Sequence, residues 1–185
     1  KLCQRITKLL SGCQAVIVCD YAKGVITQKV LDCIRKTALT HSIPVLVDVK
    51  PNHRHWYHDL SFITPNKKEL ADLTHTMICT LDDVKIHGLA LACELQTNLL
   101  VTLSEDGMMV IEHATENIHH LPTKTQEVSD VSGAGDTVIA TMALALASGA
   151  DAVTAATIAN HAASVVVAKL GTASLTQSEL LKTFE

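Results

Sequence analysis

The sequence predicts an α/β fold built on a mostly parallel sheet. Three observations carry that reading: continuous runs rich in valine and isoleucine, helix-period segments between them, and two alanine-rich helical stretches in the last third of the chain.

The elements follow in order. "QAVIVCD" (Gln14 to Asp20) and "IPVLVDV" (Ile43 to Val49) are apolar almost throughout, as strands covered on both faces must be. Between them Val30, Leu31, Ile34 and Ala38 recur at helical spacing behind Thr27, an expected N-cap, so the stretch is one β-α-β unit. "LSFITPN" reads as a short third strand ending at Pro65. Thr80 and Asp83 make a capping box for a helix to about Glu94, and "NLLVTL" (Asn98 to Leu103) is a further buried strand. "EDG" (Glu105 to Gly107) signals a turn, after which "MMVIE" and "NIHHL" read as an antiparallel edge. Two long helices are expected over 135–148 and 151–168, parted at Gly149, and Thr176-x-x-Glu179 caps a last short one. There is no internal repeat, linker or low-complexity tract, so residues 1–185 read as a single domain. The chain begins with Lys1 inside a helical segment, and on that ground it is expected to be a fragment.

Composition narrows the function classes. The 185 residues are 48% hydrophobic and 18% charged, which suits a globular core. A formal charge of −4 offers no electrostatic footprint for nucleic acid or an anionic membrane, so neither is expected as a partner. The apolar run Val138 to Leu146 is too short to span a bilayer and reads as a buried helix. Six cysteines, at 3, 13, 19, 33, 79 and 93, form no CxxC pair; Cys19, Cys33 and Cys93 lie in apolar stretches as small hydrophobes, and a reducing, cytoplasmic setting is expected.

The stretch "DVSGAGDTVIA" (Asp130 to Ala140) spends two of only eight glycines around one alanine. A glycine turn opening a helix presents unpaired amides at the positive end of the helix dipole, and Gly133, Ala134 and Gly135 leave no side chain to fend off a phosphate. Asp136 beside such an anion site would be repelled unless its charge is used, and its natural use is to accept a proton from a hydroxyl attacking phosphorus. Glycine spacing alone supports equally a close helix-packing turn with Asp136 as a dipole partner. Asp20 and Lys23 follow a strand's carboxyl end, where open α/β sheets place ligands, and Lys50 follows the next; a surface turn is the competing reading. Asn66 reads as a helix N-cap, a role compatible with ligand contact. "HRHWYH" (His53 to His58) has no carboxylate or cysteine at ligand spacing and reads as a solvated loop anchored by Trp56, not a zinc site. His119 and His120 read as polar positions on an edge strand. No GxxxxGK[ST] occurs, so a P-loop enzyme is not supported.

Four pieces, in order, resemble the ribokinase-like (PfkB-type) carbohydrate kinases: Asn66-x-x-Glu69 within "TPNKKE", Thr102, Ser104 and Gly107 within "VTLSEDG", Asp130-x-x-Gly133-Ala134-Gly135-Asp136, and "IANHAAS" through "KLGT". "DYAKG", "VDVKP" and "TQEVSDVSGAGDTVIA" narrow the resemblance to the kinase domain of the bacterial heptose-7-phosphate kinases, many of which are fused to an adenylyltransferase that works on the route to ADP-heptose for lipopolysaccharide. The chain departs from the signature at Val131-Ser132, where the family commonly has Thr and one variable residue.

The resemblance implies a three-layer α/β/α ribokinase-like fold, present here as the C-terminal, nucleotide-binding part of a kinase domain without its N-terminal strand and lid. It implies transfer of the γ-phosphoryl group of ATP to the anomeric hydroxyl of heptose 7-phosphate, giving heptose 1,7-bisphosphate; the alternatives are another PfkB-type sugar or nucleoside kinase, or a non-catalytic nucleotide-binding fragment. Asp136 is then the base and Gly133 to Gly135 the anion hole. Asn66, Lys67, Lys68, Glu69, Thr102, Ser104, Gly107 and Asn160 hold the nucleotide, Glu69 serves magnesium, and Asp20, Lys23 and Lys50 face the sugar phosphate. ATP and Mg2+ are the expected cofactors, and a homo-oligomer is expected of the intact enzyme. The isolated fragment is expected to be inactive.

Overall fold

The computed structural model describes residues 1–123 and 129–185. Most of its helices begin where side chains take over orphan amide donors. Thr27 accepts from the Val30 N–H to open α2 (Gln28–Thr40), following α1 (Leu2–Leu10) and strand β1 (Val16–Cys19). Full capping boxes open α3 (Lys67–Thr74) at Asn66 and Glu69, α4 (Leu81–Leu95) at Thr80 and Asp83, and α7 (Gln177–Leu181) at Thr176 and Glu179. Each box satisfies two amides that the first turn leaves without a helical partner. Between β2 (Val45–Asp48) and β3 (Phe62–Ile63), residues Pro51–Trp56 coil into a 3-10 turn led by the proline, where the sequence had suggested a loop.

Among the described residues six strands lie in the order β1-β2-β3-β4-β5-β6, with β4 at Asn98–Thr102, β5 at Met108–Ile111 and β6 at Ile118–Leu121. Pairing is parallel from β1 to β4 and antiparallel from β4 to β6. The break comes where the Ser104–Asp106 turn and Gly107 reverse the chain. Gly107 is obligatory there: its φ is +84°, and a Cβ would lie 2.1 Å from the Leu121 carbonyl oxygen.

Side-chain alternation sorts the core into two layers. Val45, Val47, Leu99, Val101, Met109 and Ile111 join the core under α1 to α4. Their neighbours Leu46, Leu100, Met108 and Val110 point the other way, into a core with α5 (Ala134–Ala147) and α6 (Ala152–Val167). Successive strand residues face opposite sides, so an apolar run becomes a sheet buried on both faces. Alanines at 155, 156 and 159 let α6 sit close to this second face. The fold is the α/β arrangement expected, a mostly parallel sheet covered by helices on both faces.

Two expectations are corrected. The run Val138 to Leu146 is not wholly buried, because α5 is covered on one side only and Leu144 is 70% exposed. Cys93 is exposed on α4 rather than packed as a small hydrophobe. Among the described residues no helix is long and apolar enough to cross a membrane.

Candidate active site

Parallel strands deliver their carboxyl ends, and the loops that follow, to one edge of the sheet. At the end of β1 the Asp20 N–H continues the ladder to the Asp48 carbonyl at 3.1 Å. The Asp20 side chain is 1% exposed, which excludes the surface-turn reading for this residue. Its carboxylate accepts from the Ala22 N–H at 2.8 Å, the Tyr57 hydroxyl at 2.8 Å and His53 Nδ1 at 2.6 Å. A carboxylate only accepts, so His53 carries its proton on Nδ1. Burial pushes the Asp20 carboxyl up, but the bonds from His53, Ala22 and Tyr57 outweigh it and hold it below the usual value.

His53 is therefore not in a solvated loop. The 3-10 turn brings it against Trp56, ring centroids 3.8 Å apart, and under Asp20. Trp56 packs against the core beneath, as an anchor.

One strand over, Lys50 Nζ donates to Glu69 Oε1 at 3.0 Å. Glu69 Oε2 accepts the Asn66 N–H at 3.0 Å, and Asn66 Oδ1 accepts the Glu69 N–H at 2.8 Å. The Asn66-x-x-Glu69 motif is thus both a helix cap and one end of an ion pair. The bond to Glu69 raises the Lys50 ammonium pKa, against a smaller opposing effect of burial. Asp48 ends β2, within reach of the charges of both groups. Burial, then the charge of Glu69, pushes its carboxyl up; Lys50 opposes this, and Asp136 and Asp20 add to it.

Asp136 reaches this cluster because α5 packs across β1 and β2 with its N-terminus at the strands' carboxyl ends. Its charge also helps raise the Cys19 thiol, after burial and Asp48. Gly133 caps the helix with φ +80°, and Asp130 pins the preceding turn by accepting from the Ser132 N–H at 2.8 Å and the Gly171 N–H at 3.2 Å. A Cβ built on Gly135 meets nothing within 4 Å, so the missing side chain leaves open space above the first turn. Thr125 to Val128 of the motif run lie outside the described residues.

The remaining residues flank this centre. Thr102 bridges to Asn66, its N–H bonding the Pro65 carbonyl at 3.1 Å, so the end of β4 is tied to the start of α3. Ser104 and Gly107 form the turn after β4, and Asn160 of α6 donates to the carbonyls of Leu121 and Pro122, beside the backbone that Gly107 approaches. Lys67 donates to the Cys79 carbonyl at 2.8 Å, joining α3 to the next helix, while Lys68 and Lys23 are exposed. Asp48, His53 and Tyr57 were missed as site residues; only Asp48 had a sequence signal, its place at the end of an apolar strand run.

Residues 5–179 match the family described as pfkB family carbohydrate kinase. The bifunctional protein HldE of Helicobacter hepaticus is 39% identical over 180 residues, covering 97% of this chain and 37% of the relative. That of Wolinella succinogenes is 44% identical over 177 residues, covering 95% and 36%. The chain thus spans little more than a third of these relatives. Arabidopsis thaliana ribokinase, solved with ribose and ATP, superposes with a TM-score of 0.83 at 21% identity, covering 97% of this chain and 58% of that one. Escherichia coli phosphofructokinase-2, solved with potassium, gives 0.83 at 19%, covering 99% and 60%.

Proposed function

Because this chain belongs to the pfkB family of carbohydrate kinases, we propose that it is the nucleotide-binding part of an ATP-dependent kinase acting on heptose 7-phosphate. The acceptor is the anomeric hydroxyl and the product heptose 1,7-bisphosphate, on the route to ADP-heptose and lipopolysaccharide in the cytoplasm. The heptose assignment rests on the HldE relatives and on the "DYAKG" and "VDVKP" stretches. The carrying observation is that α5, with Asp136 in its first turn, packs on β1 and β2, the strands followed by Asp20 and Lys50, and that the Asp136 charge acts on Asp48 at the end of β2.

In this reading Asp136 takes the proton of the attacking hydroxyl, as a positioned carboxylate can. The amides around Gly133 to Gly135 stabilise charge on the transferring phosphoryl group, where preorganised donors are worth most. Open space at Gly135 fits a phosphate approaching the backbone. Asn66, Lys67, Lys68, Thr102, Ser104, Gly107 and Asn160 line the nucleotide side, and Asp20, Lys23 and Lys50 the sugar-phosphate side.

The donor set fits magnesium. The charges of Glu69, Asp136 and Asp20 oppose ionisation of Asp48 beside the Lys50 ammonium, and a hydrated divalent cation would relieve that repulsion; among the described residues no three His, Cys, Asp or Glu side chains gather closely enough to hold an ion by themselves. Magnesium binds through one or two carboxylates, with waters and substrate phosphates completing its shell, so Glu69 and Asp48 would hold it. When bound it would supply neutralisation of phosphate charge.

An ADP-release assay with heptose 7-phosphate and ATP, run on the intact enzyme, tests the proposal. Turnover that requires this sugar phosphate supports it; turnover only with other sugars moves the assignment within the family, and nucleotide binding without any transfer marks a non-catalytic nucleotide-binding protein.

A further inference from the structure

The Tyr57 hydroxyl sits where two strand ends meet. It donates to Asp20 Oδ2 at 2.8 Å and accepts the backbone N–H of Lys50 at 2.9 Å. The residue is fully buried, and its hydroxyl is pushed well above the usual tyrosine value, first by burial, so it stays a neutral donor. Asp20 Oδ2 is shared with His53 Nδ1, which Trp56 holds by stacking. Lys50, whose amide is held by Tyr57, reaches Glu69 with its own ammonium.

We propose that Tyr57, supported by His53 on the shared Asp20 carboxylate, is a positioning residue that sets Lys50 on Glu69 and so shapes the magnesium–phosphate side of the site. The inference rests on the kinase reading above. Three features support it. The hydroxyl bond falls on the backbone of the residue whose side chain carries the ion pair, so moving one moves the other. The segment Pro51–Trp56 is a short 3-10 turn with no sheet pairing of its own, so the Tyr57 and His53 bonds to Asp20 add a directional hold toward β1 to the packing of Trp56 and Tyr57 on the core. The Asp20 carboxylate is buried and accepts from Tyr57, His53 and the Ala22 N–H, and losing a donor to a buried acceptor is costly.

The test is ATP binding by the intact enzyme, measured by calorimetry with and without magnesium. Tyr57→Phe removes one oxygen and keeps the buried ring. It is expected to weaken magnesium-dependent ATP binding about tenfold, the scale on which partners behind a metal ligand act. A merely structural role is separated by a cycle with Lys50→Met: if Tyr57 acts through Lys50, its substitution has little further effect in that background. An equal loss in both backgrounds, or no loss in the first, overturns the inference and leaves the kinase reading standing. Absence of magnesium-dependent ATP binding in the unsubstituted enzyme overturns the site reading itself, and this inference with it. Should Tyr57→Phe not fold, His53→Phe removes the second hold on the same carboxylate, keeps a ring against Trp56 and lies in a less buried position, with the same expectation and the same cycle.

Discussion

Lys50 Nζ and Glu69 Oε1 lie 3.0 Å apart, joining the end of one parallel strand to the first turn of a helix 19 residues on. The same Glu69 closes a capping box through its other oxygen. One carboxylate thus does two jobs, and they can be separated. Glu69→Gln keeps the box, because glutamine serves equally at that position, but removes the charge. Thermal stability should change little, while the magnesium concentration for half-maximal activity of the intact enzyme rises. An unaltered magnesium dependence removes Glu69 from the metal site.

Asp136→Asn should leave ATP affinity nearly unchanged and lower turnover of the intact enzyme about 10²–10⁴-fold, the usual cost of a lost general base. Single-turnover kinetics beside equilibrium ATP binding checks this. Near-normal turnover would show that another group takes the proton.

Asp20 and Asp48 should respond to pH with opposite signs. The Asp20 pKa is depressed in the fold, so its ionisation contributes stability above the ordinary carboxylate range, lost as pH falls through the folded value. Asp20→Asn should therefore lower the melting temperature at pH 7, with the gap to the parent closing in acid. The Asp48 pKa is raised, so the folded state resists its ionisation and stability declines as pH rises from the unfolded value through the folded one. Asp48→Asn should raise the melting temperature at pH 7, with that gap too closing in acid. Equal shifts of one sign would show that the electrostatics are misassigned.

Two glycines should part company. At Gly107 the backbone conformation, φ +84° and ψ −124°, costs a residue with a side chain of order 1–3 kcal/mol, and the clash with Leu121 adds to it. Gly107→Ala should be strongly destabilising by thermal unfolding. Gly135→Ala lies in helical backbone with open space around it, so it should leave stability unchanged or raise it by up to about 1 kcal/mol. It should nonetheless weaken ATP binding, because the added methyl occupies the phosphate approach. Unweakened ATP binding would favour the helix-packing reading of the glycine pair.

Strand β1 ends the sheet order, paired only with β2 among the described residues, and Ile17 on it is 39% exposed. An apolar strand edge invites a second chain. The 185-residue chain should self-associate in sedimentation experiments. A monomer across micromolar concentrations would contradict this.

The sequence by itself determined what a few neighbouring residues decide. Thr27, Thr80 with Asp83, and Thr176 with Glu179 announce their helices because a cap joins residues three apart. The alternating faces of Val45 to Val47 and Leu99 to Val101 follow from the period of an extended chain, and the runs they belong to were legible as strands covered on both sides. Gly133 to Asp136 stood out because two glycines around an alanine opening an apolar helix are locally unusual. What only the tertiary structure decided is which distant side chains meet. Asp20 and His53 are 33 residues apart, and Asp20 and Tyr57 are 37 apart. Their hydrogen bonds depend on β1 lying beside β2 and on a 3-10 turn folding back beneath both. "HRHWYH" looked solvated because polarity along a chain reports composition, whereas burial is set by what packs on top. The same reason hides Asp48: its raised pKa comes first from burial and then from the charges of Glu69, Asp136 and Asp20 arriving from other elements, and no spacing within the chain encodes that meeting.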